Sequence, residues 1–406
     1  HAVMAMYLMS GMADVAAETG DVELFQACKA IWESTTLRRM YVHGGVGPSS
    51  EGERFTIDYD VPNETAYTET CAAIGLVQWA QRMLQVEPDG RYADVMERAL
   101  YNGTISGISL KGDRFFYANP LYVDPESAYY RKQVLDISRL KAPKTYMGLN
   151  LYEFKKRNRI KTMRQETFDP PCCLPNISRM IGSVGQYIYS ESDTTAWVHL
   201  YAQGRGELRV AGQKVMFRQA TNYPWDGKVT ISVEPPQAAE FILKLRVPGW
   251  CQKATLAVNG ARKSVDLEKG YAQVRRTWKK GDTVELEMDM PVQRVYTHPK
   301  AVANTGRVAL QRGPVLYCLE EADNGKGLEM LALPRDARLE TAFEKDLLGG
   351  VVTISGPALR LDEAGWDGAM YRPEPAQVVS TRFKAVPYEA WCNRQPGEMM
   401  VWLREV

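Results

Sequence analysis

The hydrophobic positions of about the first 190 residues recur with the period of an α-helix. One such face, which leaves Asp94, Glu97 and Arg98 outward, consists of apolar residues three or four apart: Tyr92, Val95, Met96, Ala99 and Leu100. The segment from Val3 to Leu8 is apolar on nearly every side, which predicts a helix buried between neighbouring helices. Short polar turns between these segments favour stacked helical hairpins, the unit of a toroid or solenoid.

Beyond about Thr194 the hydrophobic period changes to two, which indicates β-strands with one buried face. One strand alternates four apolar residues with other side chains, and the apolar set is Phe241, Leu243, Leu245 and Val247. The pair Asn259-Gly260 predicts a tight hairpin turn and therefore antiparallel strands. Together the two parts of the chain predict a multidomain protein in which helices precede one or two antiparallel β-sandwiches.

Composition and charge limit the classes of ligand. The chain has 406 residues, 45% hydrophobic and 24% charged, which is enough for more than one hydrophobic core. Its 50 basic and 49 acidic residues give a formal charge of +1, which provides no broad attraction to nucleic acid or an anionic membrane. No apolar run reaches the roughly 18 residues that a membrane span needs. We therefore expect a neutral or locally recognised ligand, with neither nucleic acid nor a membrane as partner.

Two adjacent cysteines form the most unusual local feature of the chain. Seven cysteines are too sparse for a disulfide scaffold, so free or metal-bound thiols are expected. Cys172 and Cys173 lie in a proline-rich loop directly before a predicted helix, where both sulfurs can face one ion. A helix amino terminus and a metal both favour the thiolate, which is the reactive form. Buried packing and a strained vicinal disulfide are the alternatives for such a pair.

A carboxylate and a third thiol occur in a second segment. Glu69 and Cys71 precede the apolar helix predicted from Ala72 to Leu84. With Cys172 and Cys173 they make a set of three thiolates and one carboxylate, which suits tetrahedral Zn²⁺. Residues i and i+2 lie about 200° apart on a regular helix. Glu69 and Cys71 can therefore share an ion only if the backbone there is not helical.

A glycine-rich loop from Gly44 ends in the acidic residue Glu53. It lacks the following Gly-Lys-Ser or Gly-Lys-Thr of a phosphate-binding loop. We expect its glycines to let the backbone approach a ligand while Glu53 presents a carboxylate, although an isolated loop glutamate is often simply solvated. His1 and His43 are open to the same two interpretations, whereas His199, on an alternating strand, is expected to be structural.

An ordered set of motifs extends over most of the chain. Its segments are His1 to Tyr7, Gly44 to Gly47, Gly52 to Phe55, Tyr59 to Asn63, Thr65 to Gly75, Cys172 to Arg179, Leu245 to Trp250, Trp391 to Arg394 and Trp402 to Arg404. In these segments the chain resembles the family 127 glycoside hydrolases, which are retaining β-L-arabinofuranosidases, and their relatives.

The resemblance implies a particular domain organisation. Residues 1–190 would form part of an (α/α)6 catalytic toroid, and residues 191–292 a first antiparallel β-sandwich with a return strand at about 398–406. Residues 293–397 would form a second β-sandwich. The predicted helices account for only part of such a ring, so we expect the amino-terminal half of the toroid to lie outside this chain.

The resemblance also implies roles for six residues. Cys172 would be the nucleophile, Glu53 the general acid/base and His1 a sugar contact, in an exo-acting enzyme for plant-type glycans. The implied zinc ligands are Glu69, Cys71, Cys172 and Cys173. Leu174 replaces a proline that is common in the family.

Two alternatives stay open from the sequence. One is a carbohydrate-binding protein without catalysis, in which zinc is structural. The other is a hydrolase for an acidic or other rare sugar, suggested by a basic cluster in the long segment from Gly112 to Pro171: Lys155, Lys156, Arg157, Arg159 and Lys161. A loop of this length is usually functional or disordered. A homodimer is left open, and free thiols favour the cytoplasm without excluding the periplasm or secretion.

Overall fold

The computed structural model describes residues 1–127, 145–146, 149–150, 159–366 and 368–406. Helices dominate the first part of this chain and strands the rest, as the change of hydrophobic period predicts. The α-helices of the described residues are α1 (Ala2–Thr19), α2 (Val22–Arg38), α3 (Thr70–Val86), α4 (Gly90–Arg98), α5 (Cys173–Ser183) and the short α6 (Glu321–Asn324).

Helix α3 is the central helix of the first part, because both of its long sides are covered. Its residue Gly75 faces α1 so closely that an added Cβ would lie 2.7 Å from Met6 Cβ. On another side, Trp79 packs edge-on against Trp32 of α2, with ring centroids 4.9 Å apart. This packing fixes the amino terminus of α3, where Glu69 and Cys71 lie.

Helix α1 is only partly buried, so the prediction of a helix covered on all sides is wrong. Ala2, Met6 and Met9 face the core, but Met4 and Leu8 are 67% and 61% exposed. The apolar sequence of α1 predicted that every face of the helix is buried. In the described part of the chain, neighbouring residues pack against only one side of it.

The strands occupy most of the remaining residues. In chain order they are β1 (Tyr122–Val123), β2 (Thr145–Tyr146), β3 (Leu149–Asn150), β4 (Tyr189–Glu191), β5 (Thr195–Val198), β6 (Gly204–Val210), β7 (Gln213–Thr221), β8 (Lys228–Glu234), β9 (Ala239–Arg246), β10 (Ala254–Val258), β11 (Ala261–Lys263), β12 (Leu267–Glu268), β13 (Tyr271–Trp278), β14 (Asp282–Met288), β15 (Val292–Val295), β16 (Arg307–Arg312), β17 (Val315–Glu320), β18 (Leu331–Leu333), β19 (Glu340–Glu344), β20 (Val351–Asp362), β21 (Gln377–Pro387), β22 (Met399–Met400) and β23 (Leu403–Glu405).

Two sheets in the middle of the chain share one hydrophobic core. Their strand orders are β11-β10-β14-β8-β7-β6 and β12-β13-β9-β5-β4. The alternation predicted for β9 is confirmed, since Phe241, Leu243 and Leu245 are buried in the shared core. The predicted hairpin is confirmed as well: Asn259 and Gly260, both with positive φ, connect β10 to β11.

A larger sheet contains the remaining long strands and the end of the chain. Its path is β1-β22-β17-β21-β20-β18-β23-β16-β15, and β19 pairs with β20. The terminal strand was expected to join the first sandwich, but β23 instead pairs with β16 and β18 of the larger sheet. Burial explains this placement, because Met400 and Leu403 complete the core of that sheet and Glu405 forms an ion pair with Arg294.

The contact between α4 and the strands overturns one prediction. Glu97 was expected to point outward, yet it is 1% exposed. Its carboxylate accepts hydrogen bonds from Arg246 of β9, Tyr223 and Trp250. The hydrophobic period identified the face of α4 that packs on other helices, but not the strands that cover the opposite face. Within the described residues, no helix combines the length and apolarity that a bilayer span requires.

Candidate functional site

A cleft of about 1080 Å³ in the helical part contains five of the six residues singled out from the sequence. Its lining includes His1, Glu53, Glu69, Cys71 and Cys172. The sixth, Cys173, is 2% exposed and lies beneath the cleft surface beside Cys71. These side chains come from the residue before α1, the glycine-rich loop, the start of α3 and the start of α5. The structure thus brings together residues that are up to 172 positions apart in the chain.

The start of α3 has the non-helical geometry that a shared ligand site requires. Thr68 has a φ of +33° and Glu69 is extended, with φ −57° and ψ 137°, so the helix begins only at Thr70. The Thr70 backbone N–H donates to the Tyr117 carbonyl at 2.9 Å, which ties this turn to the neighbouring segment. Glu69 and Cys71 can therefore point to the same side.

The cysteine pair lies at the start of α5, as the sequence predicts. Cys172 is the residue before the helix and Cys173 is its first residue. Cys172 is partly exposed in the cleft, whereas Cys173 is buried. The seven cysteines all lie within the described residues, and none of them forms a disulfide. The vicinal disulfide is therefore absent from this structure, and the two thiols differ in their access to the cleft.

Four side chains form a cluster with the dimensions of a metal site. One ligand atom from each of Glu69, Cys71, Cys172 and Cys173 lies within 4.8 Å of the others. Glu69 Oε1 is 3.4 Å from Cys172 Sγ, and Cys71 Sγ is 3.4 Å from Cys173 Sγ. The second oxygen, Glu69 Oε2, is buried and has no protein partner. An unpaired buried carboxylate oxygen beside three sulfurs is the donor set that Zn²⁺ favours, so the residues fit this ion.

The environment separates the acidities of these groups. Hydrogen bonds, first from Cys173 and then from Cys71, lower the pKa of Cys172 to about 2. Burial raises the pKa of Cys173, and it also raises that of Glu69 to about 8, with a further contribution from Cys172. These pKa shifts favour the thiolate form at Cys172, the one member of the cluster whose side chain is not buried.

Glu53 is held by three different side chains. His1 Nε2 lies 2.7 Å from Glu53 Oε2, and the Tyr67 hydroxyl donates to Oε1 at 2.8 Å. Arg159 also contacts Oε1 through its Nη1 atom. The Met4 backbone N–H donates to Nδ1 of His1 at 3.5 Å, so we assign the ring proton to Nε2, which donates to Glu53. Glu53 thus presents a fixed carboxylate to the cleft.

The glycine-rich loop uses most of its glycines against protein rather than against a ligand. An added Cβ would lie 2.5 Å from the Ala99 backbone at Gly44 and 2.7 Å from Ala2 at Gly47. Both residues also have positive φ. Gly44 and Gly47 therefore let the loop pack on Ala99 and on α1, so the expectation that glycines of this loop let a ligand approach does not apply to these two. Gly52 is the glycine of this loop that lines the cleft.

The other histidines lie away from the cleft. His43 is fully buried between the rings of Tyr41 and Tyr388. His199 is structural as predicted: its two ring nitrogens are 2.7 Å from Tyr271 Oη and 2.8 Å from Ser190 Oγ.

Sequence reasoning missed several cleft residues. Tyr117 Oη lies 3.1 Å from Cys172 Sγ, and Arg159 Nη1 donates to Tyr117 Oη at 2.8 Å. Tyr67, which is buried and contacts Glu53, was also missed; it belongs to the segment that carries Glu69, and that proximity was the available signal. Arg159 was noticed only as part of the basic cluster, whose members Lys155, Lys156 and Arg157 lie outside the described residues.

Comparison with known proteins relates nearly the whole chain to one family. Residues 1–186 match the model of the β-L-arabinofuranosidase GH127 catalytic domain. Residues 195–290 match the GH127 middle domain, and residues 292–404 match the carboxy-terminal domain of glycoside hydrolase family 127.

Individual relatives are named as arabinofuranosidases. A non-reducing end β-L-arabinofuranosidase of Bifidobacterium longum subsp. longum is 38% identical over the whole chain and 59% of its own length. The crystal structure of a GH127 β-L-arabinofuranosidase from Geobacillus stearothermophilus T6 is 49% identical with a TM-score of 0.91, and a GH127 β-arabinofuranosidase is 34% identical with a TM-score of 0.86. Each alignment covers all of this chain and 60% of the solved chain. The chain belongs to glycoside hydrolase family 127.

Proposed function

We propose that the protein is a retaining, exo-acting β-L-arabinofuranosidase that acts on plant-type glycans. Cys172 is the nucleophile and Glu53 the general acid/base. One observation carries this proposal: the sulfur of Cys172 and the carboxylate of Glu53 line the same open cleft. The name of the Bifidobacterium relative, which specifies the non-reducing end, supports exo action.

In the first step the Cys172 thiolate attacks the anomeric carbon while the glycosidic C–O bond breaks. Glu53 gives its proton to the departing oxygen, and His1, on the other carboxylate oxygen, also contacts the sugar. The product is a thioglycoside on Cys172. Because the nucleophile approaches opposite the leaving group, the anomeric configuration is inverted in this step.

In the second step Glu53 is the base. It takes a proton from water, whose oxygen attacks the anomeric carbon and releases the Cys172 thiolate. The second inversion restores the original configuration, as in other retaining glycosidases, with sulfur replacing the usual carboxylate nucleophile.

Glu69, Cys71, Cys172 and Cys173 would hold Zn²⁺. When bound, the ion would favour the thiolate form of its cysteine ligands at neutral pH. The protein itself supplies the orientation, because Tyr117 Oη contacts the Cys172 sulfur and the start of α5 fixes the cysteine backbone.

A carbohydrate-binding protein with a structural zinc is the second candidate, since ions with four protein ligands are ordinarily structural. Access to Cys172 separates the two functions. A structural site would have its sulfurs sealed by protein, whereas Cys172 reaches the cleft that contains Glu53. An acidic-sugar hydrolase receives little support from Arg159, because its guanidinium is already engaged by Glu53.

The decisive experiment uses the full-length protein and compares Cys172→Ser with the unmodified enzyme on an aryl β-L-arabinofuranoside and an aryl uronide. We expect cleavage of the furanoside by the unmodified protein and no turnover by the variant, which should keep part of its zinc. Mass spectrometry with a slow substrate should locate one pentosyl group on Cys172. Cys251→Ser is the matched control, because Cys251 lies outside the cleft. Full activity of Cys172→Ser would refute the proposed nucleophile.

A further inference from the structure

Arg159 connects the two groups proposed to carry out the reaction. Its side chain is 12% exposed, and the guanidinium carbon lies 4.4 Å from the ring centroid of Tyr117. A single nitrogen, Nη1, contacts Glu53 Oε1 and lies 2.8 Å from Tyr117 Oη. The same tyrosine oxygen is 3.1 Å from Cys172 Sγ. A continuous path of contacts therefore runs from Glu53 through Arg159 and Tyr117 to Cys172.

The chemistry of the guanidinium fixes the direction of these hydrogen bonds. Arginine has N–H donors and no acceptor, so Nη1 must donate to both Glu53 and Tyr117. A tyrosine hydroxyl has one proton. When its oxygen accepts a hydrogen bond from Arg159, the hydroxyl can donate that proton to its other neighbour. The other neighbour of Tyr117 Oη is the Cys172 sulfur. Arg159 thus directs the Tyr117 hydroxyl toward the sulfur.

We propose that Arg159 is a positioning residue that sets the placement of Glu53 relative to Cys172 and orients the Tyr117 hydroxyl onto the sulfur. This inference rests on the proposed function for its catalytic meaning. Nη1 has two hydrogens, and its shortest contacts are with the Glu53 carboxylate and the Tyr117 hydroxyl, while Tyr67 Oη lies farther away, at 3.3 Å. Without Arg159, Glu53 Oε1 loses one of its two donors and keeps only Tyr67, while Tyr117 Oη loses the donor that orients it.

The experiment compares Arg159→Ala, Arg159→Lys, Tyr117→Phe and the double variant Arg159→Ala with Tyr117→Phe. We expect Arg159→Ala to lower kcat by about 100-fold, which is the cost of a misplacement of about 1 Å. Arg159→Lys should recover part of this loss because it keeps a charged donor. The double variant should lose less than the product of the single losses, because both residues act on one sulfur.

Guanidinium rescue separates positioning from a loss of folding. Millimolar guanidinium should raise kcat of Arg159→Ala, while the same concentration of urea or KCl should not. Arg114→Ala is the matched control, because Arg114 is exposed, pairs with Glu166 and lies outside the cleft, and guanidinium should leave its kcat unchanged.

Two outcomes would contradict the role of Arg159 and leave the assignment of Cys172 as nucleophile unchanged. One is wild-type kcat in Arg159→Ala while Cys172→Ser is inactive. The other is a crystal structure of Arg159→Ala in which Tyr117 Oη and Glu53 Oε1 stay in place, a result that needs no turnover. Failure of the unmodified protein to cleave any furanoside would instead count against the proposed function, and the crystal structure would still decide the positioning claim.

Discussion

Glu97 of α4 and Arg246 of β9 form an ion pair that is sealed between the helical part of the chain and the strands. Both side chains are almost completely buried, at 2% and 0% exposure. Tyr223 and Trp250 donate to the same carboxylate, and Asp94 accepts from the other guanidinium nitrogen of Arg246 at 2.6 Å. Buried charges are tolerated in proteins when they are paired and hydrogen-bonded in this way.

We expect Glu97→Ala to destabilise the protein by about 3 to 5 kcal/mol, because it leaves Arg246 buried with one carboxylate partner fewer. Urea unfolding at neutral pH measures this change. Replacing both charges with apolar residues, Glu97→Leu with Arg246→Met, should cost less than the two single changes together. The exposed strand residue Glu285 supplies the control, since Glu285→Ala should stay within about 0.5 kcal/mol of the unmodified protein. A loss below about 1 kcal/mol in Glu97→Ala would contradict the assigned role.

Hydrophobic period predicted the order of helices and strands and the buried face of β9. It could not place Glu97, because a helix with one apolar stripe has the same pattern whether its other face meets water or strands. Nor could it predict the pairing of β23 with β16, since strand partners depend on contacts distant in sequence. For α1, a uniformly apolar sequence indicated burial but carried no information about which sides have neighbours.

The ligand cluster was easier to predict than its surroundings. Glu69 with Cys71, and Cys172 with Cys173, are close pairs in sequence, so two segments had to meet rather than four. Their chemistry, sulfur and carboxylate, pointed to a metal. Tyr117 and Arg159 carry no comparable local signal, because tyrosine and arginine occur throughout the chain. They join the cluster only through contacts between residues far apart in sequence, such as that of Arg159 with Glu53, 106 positions away.

Removal of the proposed acid/base should affect substrates according to their leaving groups. We expect Glu53→Ala to lower turnover of a natural glycan by about 100-fold to 10,000-fold, the range for general acid catalysis. A dinitrophenyl furanoside needs little protonation of its departing oxygen, so its bond-breaking step should be much less affected. Values of kcat/KM on both substrates test this difference because they report the bond-breaking step, and Glu51→Ala is the control because Glu51 is exposed in the same loop. Equal losses on both substrates would argue against the acid role.

Zinc binding should depend on each member of the cluster. We expect one ion per chain. Cys71→Ser or Glu69→Gln should lower the zinc affinity by at least about tenfold to 100-fold, which is the loss caused by changing a residue that only supports a metal ligand. Competition with a chelator, followed by metal analysis, measures the affinity. Bound metal should also protect Cys71, Cys172 and Cys173 from alkylation, as read by mass spectrometry. Cys251→Ser should bind normally, and unchanged affinity in Cys71→Ser would remove that residue from the site.

The buried ring of His199 should make stability depend on pH. Burial, with a smaller contribution from Arg246, lowers the pKa of His199 to about 3, against an ordinary value of 6.5. Between these two values the unfolded chain binds a proton that the folded chain does not. Protonation of the unfolded chain therefore lowers the free energy of unfolding as the pH falls from 6.5 toward 3, by about 2 kcal/mol at pH 5, and has little effect above pH 6.5.

Urea unfolding from pH 7 to pH 5 measures this change. The free energy of unfolding should decline less steeply in His199→Gln than in the unmodified protein. Ser190→Ala, which removes one partner but keeps the ring, should retain the steep decline. Parallel declines in His199→Gln and the unmodified protein would mean that this ring is protonated in the folded state.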